Sequence, residues 1–374
     1  MDLTRRKLLG TAGAGLTASG LLGRASVAQA QNPLNILIIG GTGFIGPPMV
    51  ERAIARGHKV SVLNRNRKGD VFDGKVEQLI GDLNEDVSVL KGRSFDVVID
   101  NPTTQPKWVR NVAQYLKGRV GHYIFVSTIG VYKNKNAPNQ DENAPLWQME
   151  KGQDPFNMTR RPGFQDYWAL KTVCEEFVAK TYKKCAIIRP GLIAGPGDDT
   201  DCFMYWATRI ARGGTVLAPG APTDPIKYID TRDLGDFAIH LAENQTTGSF
   251  NVMGPDKPLT VAEMLYGIKA VTTAGAQFQW VPAKFLVSKE VHEWTDLPVW
   301  VDPAGDWGGL HTMSVARAVA AGLKFRPLAD TAQAALAYNL TRPEADQKRT
   351  AERPRNGLPP EREVALLTAW NGAK

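Results

Sequence analysis

LNILIIGGTGFIG, residues 34–46, decides the fold of this 374-residue chain. Its apolar half, Leu34–Ile39, has the length and composition of a central parallel strand that is buried on both faces. Glycines follow at positions 40, 43 and 46, and the next residues, PPMVERAIARGH, are compatible with a helix. Glycine permits the chain reversal and the close approach of a pyrophosphate, to which the start of a helix offers free N–H groups. The pattern favours a dinucleotide-binding turn over a merely tight strand-to-helix turn, with contacts from Gly40, Thr42, Gly43, Phe44, Ile45 and Gly46.

The residues after the second strand, Lys59–Leu63, bear on the choice of dinucleotide. They read Asn64-Arg65-Asn66-Arg67-Lys68, with three cations and no carboxylate. A carboxylate at this point normally binds the free 2′-hydroxyl of NAD, whereas a 2′-phosphate is attracted by cations. The sequence therefore favours NADP, with NAD as the alternative, and Asn64, Arg65 and Arg67 as contacts. Ordinary surface cations are the competing interpretation of the same cluster.

Two further apolar runs, Phe95–Ile99 and His122–Val126, predict strands, and Trp108–Leu116 between them predicts a helix. Alternation of strands and helices indicates right-handed crossovers and a parallel sheet. The predicted fold class is therefore α/β, a Rossmann doubly wound parallel sheet. Its functional groups should lie at the carboxyl ends of the strands, where Ser127 and Thr128 are found.

Tyr167 and Lys171 stand four residues apart in a helix-like stretch, YWALKTVCEEFVAK. Residues at this spacing share a helix face, so the phenol and the ammonium are expected to converge. A neighbouring cation favours phenolate and should lower the pKa of Tyr167, which would make it a proton acceptor near neutrality. A nearby Ser or Thr hydroxyl could hold the substrate oxygen. The alternative is an interfacial tyrosine with its hydroxyl in water.

Together these motifs resemble one family. GGTGFIG, Gly81-Asp82-Leu83, FVSTIGVY, YWALK and Arg189-Pro190-Gly191 resemble, in this order, the extended short-chain dehydrogenase/reductases, the NAD(P)-dependent epimerase/dehydratase group. The resemblance covers about residues 34–265. It implies Asp82 and Leu83 near the adenine, Thr128 as the substrate-orienting hydroxyl, Tyr167 as general base or acid, Lys171 on the nicotinamide ribose, and Pro190 as a further cofactor contact.

The resemblance also implies a domain division. The NAD(P)-binding Rossmann domain is expected at residues 31–190 plus 225–255. A smaller substrate-binding lobe, with the C-terminal tail, is expected at 191–224 plus 256–374. The polar, proline-rich segment 342–360 is interpreted as an extended surface arm, and 361–370 as a docking helix.

Three departures from the family pattern stand out. The third apolar strand ends in Asp100-Asn101-Pro102, where relatives usually have His and small residues. The acid after the second strand is missing. The 38 residues between Thr128 and Tyr167 are more than usual, and the extra piece, 147–163, is either a lid over the pocket or a surface insertion.

Composition excludes several other classes of function. The formal net charge is +7, but the basic residues are scattered and form no stripe with interleaved aromatics, so no nucleic-acid partner is predicted. Three cysteines without a CxxC pair and five scattered histidines predict no metal site. No apolar run is long enough for a stable membrane span. Relatives often form homodimers through helices like 168–180, but the same apolar stripe could be core.

The first thirty residues have the features of a targeting segment. Thr4-Arg5-Arg6-Lys7-Leu8-Leu9, a weakly apolar run and an A-x-A pattern ending at Ala30 are similar to a twin-arginine signal peptide. Such a signal directs folded proteins through the twin-arginine export machinery. It predicts a periplasmic protein of an exporting bacterium, with an uncleaved amphipathic leader as the alternative.

Export constrains the predicted reaction, because nicotinamide cofactors are recycled in the cytoplasm. A redox-neutral reaction with a tightly held cofactor, such as epimerisation or dehydration of a carbohydrate-like hydroxyl or keto substrate, would need no recycling. Two alternatives remain: an NADPH-dependent carbonyl reductase, and a non-catalytic nucleotide-sensing or RNA-associated protein on the same fold.

Overall fold

Strands and helices alternate through most of the chain, as a computed structural model of residues 32–158 and 163–373 shows. The predicted signal peptide, 1–30, lies outside the described residues. In chain order the strands are β1 (Asn35–Ile39), β2 (Lys59–Asn64), β3 (Glu77–Ile80), β4 (Phe95–Asp100), β5 (Val120–Val126), β6 (Cys185–Pro190), β7 (Ile193–Ala194), β8 (Gly214–Pro219), β9 (Pro225–Asp230), β10 (Gly248–Val252), β11 (Gly254–Thr260) and β12 (Ala276–Val281).

The helices surround these strands. In chain order they are α1 (Gly46–Ala55), α2 (Pro106–Leu116), α3 (Phe164–Thr181), α4 (Cys202–Ala211), α5 (Thr231–Asn244), α6 (Val261–Ala270), α7 (Ala283–Ser288), α8 (Ala316–Ala320), α9 (Leu328–Thr341), α10 (Glu344–Glu352) and α11 (Pro360–Gly372).

The main sheet has seven parallel strands in the order β10-β6-β5-β4-β1-β2-β3. Parallel neighbours that are not consecutive require crossovers, and this order is that of a doubly wound sheet. The predicted α/β Rossmann class is confirmed. Strand β3 was not singled out in the sequence, because its burial is confined to one residue, Leu79.

Each face of the main sheet carries helices. Helices α1 and α5 cover one face, where Val50 and Leu234 belong to one apolar cluster with β1 and β4. Helices α2 and α3 cover the other face, where Val109 and Val178 pack against a second cluster. Because both faces are covered, the carboxyl edge of the sheet is the exposed place at which polar side chains from several strands can meet.

A smaller lobe is built from segments that follow β6, apart from α5 and β10, which belong to the main sheet and its covering helices. It contains a three-stranded sheet, β11-β9-β7, and a two-stranded parallel sheet, β12-β8. Its core includes the fully buried Trp206 of α4 and residues of α6, α9 and α11. A separate apolar cluster, which includes Ile129, Met253 and Met313, joins this lobe to the turn after β5.

The polar segment 342–360 is not the extended arm that its composition suggested. It contains α10, and Arg349 of this helix pairs with the carboxylate of Asp201, which is fully buried at the start of α4. Thr350 donates a second hydrogen bond to the same carboxylate at 2.9 Å. A buried carboxylate needs such partners, so this long-range ion pair holds α10 against the start of α4. The following helix, α11, agrees with the predicted docking helix.

The described part of the insertion, 147–158, follows the outer side of α3. Gln148 donates to Glu176 at 3.5 Å, and the Phe156 ring lies 5.9 Å from that of Phe177. Glu176 is half a helical turn away from Tyr167, since nine residues correspond to two and a half turns. These contacts favour the surface-insertion interpretation for 147–158 over a lid.

Candidate active site

The glycine turn lies between β1 and α1 at the carboxyl edge of the main sheet. Gly40 has φ +73°, and a Cβ there would lie 2.9 Å from the Pro102 ring. A Cβ at Gly46 would lie 2.4 Å from the carbonyl carbon of Gly41 and 2.5 Å from the oxygen of Gly40. The first turn of α1 therefore packs directly on the backbone of the turn, with no room for a side chain.

A cavity of about 560 Å³ opens in front of this turn. It extends from β1 across β2 to the loops after β3 and β4. The predicted cofactor residues that line it are Gly40, Thr42, Gly43, Asn64, Arg65, Arg67, Asp82 and Leu83. Residues that were not predicted also line it: Lys68, Asn84, Pro102, Gln105 and Trp108 are among them. Trp108 was predicted only as the start of a helix, and its indole donates to Asn84 at 3.4 Å.

The cations after β2 face this cavity. Lys68 donates to the carbonyl oxygen of Thr42 at 2.9 Å and so reaches across to the glycine turn. Arg65 lies 3.9 Å from Asp82, and Arg67 is exposed. The Asn64 amide donates to Gln78, and its oxygen accepts the N–H of Asn66, so its side chain already has partners on both sides.

Three other predicted cofactor residues lie beside the cavity rather than in its lining. Phe44 packs against Gly197, where a Cβ would lie 3.1 Å from the Phe44 carbonyl oxygen. Ile45 caps α1 and packs on the apolar cluster beneath that helix. Pro190 ends β6, buried against β10. All three belong to the carboxyl edge of the sheet.

Tyr167 and Lys171 lie in the first half of α3. The Lys171 side chain is 3% exposed, and its ammonium donates to the carbonyl oxygen of Val126 at 2.7 Å. It also lies 4.9 Å from the centre of the Phe125 ring. Tyr167, one helical turn before Lys171 on the same side of α3, is half-buried. The structure thus brings Lys171 to the end of the strand that Thr128 follows.

The predicted effect of Lys171 on the pKa of Tyr167 is wrong for this structure. Burial, with a smaller contribution from the neighbouring Cys174, raises the pKa of Tyr167. Among the described contacts, the Lys171 ammonium is hydrogen-bonded to the Val126 backbone and not to the phenol. Burial in turn lowers the pKa of Lys171, partly opposed by Cys174 and Asp100. A shared helix face was therefore not sufficient to bring the Lys171 ammonium into direct contact with the Tyr167 phenol.

Thr128 follows β5 in an extended conformation and caps the short helical turn Ile129–Val131. Its hydroxyl oxygen accepts the N–H of Gly130 at 3.1 Å. The preceding Ser127 is buried, and its hydroxyl has no hydrogen-bond partner within the described part of the chain. Both polar atoms of the Asn101 amide, at the end of the neighbouring β4, are likewise buried without a partner there.

Asp100, which replaces a residue that relatives usually have as His, belongs to a buried hydrogen-bond network. Its carboxylate accepts the Thr103 hydroxyl at 2.7 Å and the Tyr123 hydroxyl at 2.8 Å. Burial raises the pKa of Asp100, while these donors and Lys171 oppose the shift. Each oxygen of this buried carboxylate therefore accepts one side-chain hydrogen bond, together about half of the acceptor sites of the group.

These features fit a nicotinamide dinucleotide. The glycine turn carries no side chain that would keep a pyrophosphate from its backbone, and the cavity in front of it is lined by Arg65, Arg67 and Lys68. At the other end of the same edge, Ser127 and Asn101 provide buried donors and acceptors without partners, of the kind that a carboxamide satisfies. The fit therefore extends from the glycine turn to the Thr128–Tyr167 region.

Neither a cluster of metal ligands nor a membrane-spanning helix is present among the residues that the structure describes. Within 32–158 and 163–373, no group of three or more His, Cys, Asp or Glu side chains is placed to hold a metal ion. None of the helices described is long and apolar enough to cross a membrane.

The sequence model of the NAD dependent epimerase/dehydratase family matches residues 36–253, more than half of the chain. The match begins at β1 and ends just after β10, so it contains the glycine turn, Thr128, Tyr167 and Lys171.

Two curated relatives and one solved structure illustrate the similarity. N-acetyl-alpha-D-glucosaminyl-diphospho-ditrans,octacis-undecaprenol 4-epimerase of Escherichia coli O157:H7 is 30% identical over 179 residues, 43% of this chain and 49% of that protein. 2-Alkyl-3-oxoalkanoate reductase of Stenotrophomonas maltophilia is 27% identical over 184 residues, 44% of this chain and 52% of that protein. The chain thus spans about half the length of these relatives.

The solved structure is the Bordetella bronchiseptica enzyme WbmG in complex with NAD and UDP. It has a TM-score of 0.58 at 17% identity and covers 83% of this chain and 95% of that one. At this identity the similarity shows a common fold.

Proposed function

Since this chain belongs to the NAD-dependent epimerase/dehydratase family, we propose that it is an enzyme of reversible hydride transfer. Its substrate is a carbohydrate-like hydroxyl or keto compound. The observation that carries the proposal is the hydrogen bond by which Lys171 of α3 reaches Val126, the last residue of β5, two residues before Thr128; Tyr167 is one turn before Lys171 on the same helix. The coenzyme cavity lies further along the same edge of the sheet.

NADP is the proposed cofactor, with NAD as the alternative. The cavity is lined by Arg65, Arg67 and Lys68, which would attract a 2′-phosphate, and Arg67 is exposed and available. Asp82, the acid that lines the cavity, lies 3.9 Å from Arg65, so part of its charge is compensated. WbmG, of the same fold, binds NAD, which keeps NAD as the competing assignment.

In the proposed mechanism Thr128 holds the substrate oxygen and Tyr167 takes or returns its proton. When bound, the oxidised nicotinamide supplies the hydride acceptor and a positive charge that favours the phenolate. Lys171, fixed by its hydrogen bond to Val126, keeps a buried ammonium on the phenol's side of α3. Burial raises the pKa of Tyr167, so the neutral phenol is the resting form and suits protonation of a substrate oxygen.

We further propose that the protein is exported by the twin-arginine route and retains its cofactor. The support is the Arg5-Arg6 pattern, which lies outside the described residues, together with the glycine turn. In a compartment without cofactor recycling, only a reaction that returns the hydride to its substrate continues beyond one turnover. This favours epimerisation, or dehydration through a keto intermediate, over net reduction.

A carbonyl reductase is the second candidate. It is favoured by the 27% identity to 2-alkyl-3-oxoalkanoate reductase over 184 residues. A reductase consumes NADPH steadily with ketone substrates, whereas a redox-neutral enzyme shows no net change in NADPH absorbance while its substrate is converted.

The test begins with protein purified without added cofactor. Mass spectrometry and absorbance should reveal bound nicotinamide, and cell fractionation should place the protein in the periplasm. A panel of sugar nucleotides, free sugars, glycosides and ketones is then screened against wild type and Tyr167→Phe, with Tyr115→Phe as the matched control. Turnover that survives Tyr167→Phe unchanged refutes the catalytic assignment. Cofactor binding without any turnover favours the nucleotide-sensing alternative.

A further inference from the structure

Lys135 is a buried cation for which the proposed mechanism has no role. It lies three residues after Tyr132, in the loop that follows the Thr128 turn, and it is 7% exposed. Its ammonium donates to the Tyr132 carbonyl oxygen at 3.0 Å. Across 32–158 and 163–373, no carboxylate forms an ion pair with it. An ammonium in this position needs another source of stabilisation.

Three indole rings provide that stabilisation. The Lys135 nitrogen lies 3.5 Å from the centre of the Trp168 ring, 5.0 Å from Trp307 and 5.3 Å from Trp147. All three distances are within the range of favourable cation–π contact. Burial lowers the pKa of Lys135 to about 8, so the ammonium form still predominates at pH 7. We call Lys135 and these three rings the tryptophan cage.

The cage joins segments that are remote in sequence. Trp147 begins the insertion, Trp168 belongs to α3, and Trp307 belongs to the C-terminal lobe. The Trp168 and Trp307 rings meet edge to face at 5.4 Å. The N–H of Gly309, two residues after Trp307, donates to the Lys135 carbonyl oxygen at 3.0 Å. One side chain therefore contacts both the helix that carries Tyr167 and the lobe expected to hold substrate.

The cage also contacts the residues that hold both proposed catalytic side chains, Thr128 and Tyr167, in place. Trp168 directly follows Tyr167 in α3. The edge of its indole presses on Gly130, where a Cβ would lie 2.4 Å from the indole nitrogen. The N–H of Gly130 in turn holds the Thr128 hydroxyl at 3.1 Å. Displacement of the Trp168 ring would therefore disturb Thr128 and Tyr167 together.

We propose that Lys135 is a positioning residue: its ammonium, held by the tryptophan cage, fixes α3 and the C-terminal lobe against the turn that carries Thr128. This role rests on the proposed function insofar as Thr128 and Tyr167 are the reacting side chains. The contact is not a substrate contact, so its loss should change the placement of the reacting groups and leave the cofactor cavity as it is.

The test compares Lys135→Met, which keeps the length of the side chain without its charge, with Lys135→Arg, which keeps the charge. Lys133→Met is the matched control, because Lys133 is exposed two residues away. Hydrogen exchange by mass spectrometry is measured on each protein saturated with NADPH. Peptides covering 164–172 and 302–310 should exchange about tenfold faster in Lys135→Met. Peptides of the glycine turn and the NADPH dissociation constant should stay within about twofold of wild type.

Lys135→Arg should restore most of the protection, and Lys133→Met should match wild type. Exchange that rises in only one of the two segments, in neither, or uniformly through the chain overturns the proposal. If Lys135→Met does not fold, Trp307→Leu removes the ring of the C-terminal lobe and should loosen the same two segments.

Kinetic measurements distinguish the positioning role of Lys135 from the proposed function. On the substrate that the panel identifies, kcat of Lys135→Met should fall about tenfold with KM within about threefold, and Lys135→Arg should recover most of it. Unchanged kcat in Lys135→Met, with Tyr167→Phe inactive, overturns the positioning role alone. Full activity of Tyr167→Phe overturns the proposed function, whatever the exchange experiment shows.

Discussion

Gly46→Ala tests whether the first turn of α1 forms the cofactor cradle. Glycine within a helix normally destabilises it, and replacement by alanine at an open helical position stabilises by up to about 1 kcal/mol. Gly46→Ala is expected to lower the free energy of unfolding instead. A Cβ there would lie 2.4 Å from the carbonyl carbon of Gly41 and 2.5 Å from the oxygens of Gly40 and Gly41. Every obstructing atom belongs to backbone, which no side-chain rotation can relieve.

The size of the effect follows from these distances. Ordinary contact requires at least 3.4 Å, so α1 and the turn must separate by about 1 Å. Overpacking of this kind costs about 1–3 kcal/mol of the free energy of unfolding. The same displacement moves the backbone of the glycine turn and the Gly46 N–H away from the position of a bound pyrophosphate. A loss of about 2.7 kcal/mol, which lies within this range, corresponds to about 100-fold weaker NADPH binding.

Two measurements check this expectation. Titration of NADPH fluorescence gives the dissociation constant, and urea unfolding followed by tryptophan fluorescence gives the free energy of unfolding. Gly372→Ala is the matched control, since Gly372 is also helical and a Cβ there has no neighbour within 4 Å. The control should bind NADPH like wild type and be equally or slightly more stable. A Gly46→Ala protein with a dissociation constant within twofold of wild type would refute the reasoning.

Three further expectations concern stability and cofactor choice. Glu175→Ala leaves the buried Arg189 guanidinium without the carboxylate that it contacts at 2.6 Å, and should lower the free energy of unfolding in urea by about 3–5 kcal/mol. Glu176→Ala, at an exposed position, is the control. A loss below about 1 kcal/mol in Glu175→Ala contradicts the expectation. Arg67→Ala should weaken NADP binding about tenfold or more and leave NAD binding within threefold, as measured by calorimetry; an equal loss for both means that Arg67 does not read the 2′-phosphate. Burial lowers the pKa of His311 to about 4, so the unfolded chain takes up the proton first as pH falls below about 6.5, and the free energy of unfolding should decrease by up to about 3 kcal/mol toward pH 4. The decrease should be smaller in His311→Gln, and equal slopes would contradict the assignment.

The arrangement around Tyr132 shows how the candidate site is supported from behind. Its hydroxyl donates to Asn251 at 2.6 Å and accepts from Arg189 at 2.9 Å, while its carbonyl accepts from Lys135. Arg189 also pairs with Glu175 of α3. Two buried cations therefore attach the same face of α3 to the segment after β5. Removal of one partner from such a buried network leaves the other partner unpaired, which lowers the free energy of unfolding. Because the network attaches α3, the effect of such a substitution should reach Tyr167 on the same helix.

Local sequence patterns were sufficient for four strands of the central sheet, β1, β2, β4 and β5, and for the glycine turn. An apolar run of strand length, a glycine at a positive φ and the start of a helix are properties of neighbouring residues, so 34–46 predicts its own structure. The same holds for α2 and for the helix that carries Tyr167. Strand β3 escaped, because only one of its four residues is fully buried at the edge of the sheet.

Composition was misleading where long-range partners decide. Segment 342–360 is polar and rich in proline, yet it forms α10, because Arg349 reaches a buried carboxylate at Asp201. The contact joins residues 148 positions apart. No window of neighbouring residues contains that information, since the cost of burying Asp201 is set by the fold around α4.

Patterns among neighbouring residues were thus enough to predict the class of fold, the place of the phosphate-binding turn and the helical face shared by Tyr167 and Lys171. The hydrogen bond from the Lys171 ammonium to the Val126 carbonyl, and the rings from three separate segments around Lys135, became visible only in the folded chain. The physical reason is that periodicity reflects local backbone geometry, whereas the partner of a buried charge is chosen by packing across the whole chain.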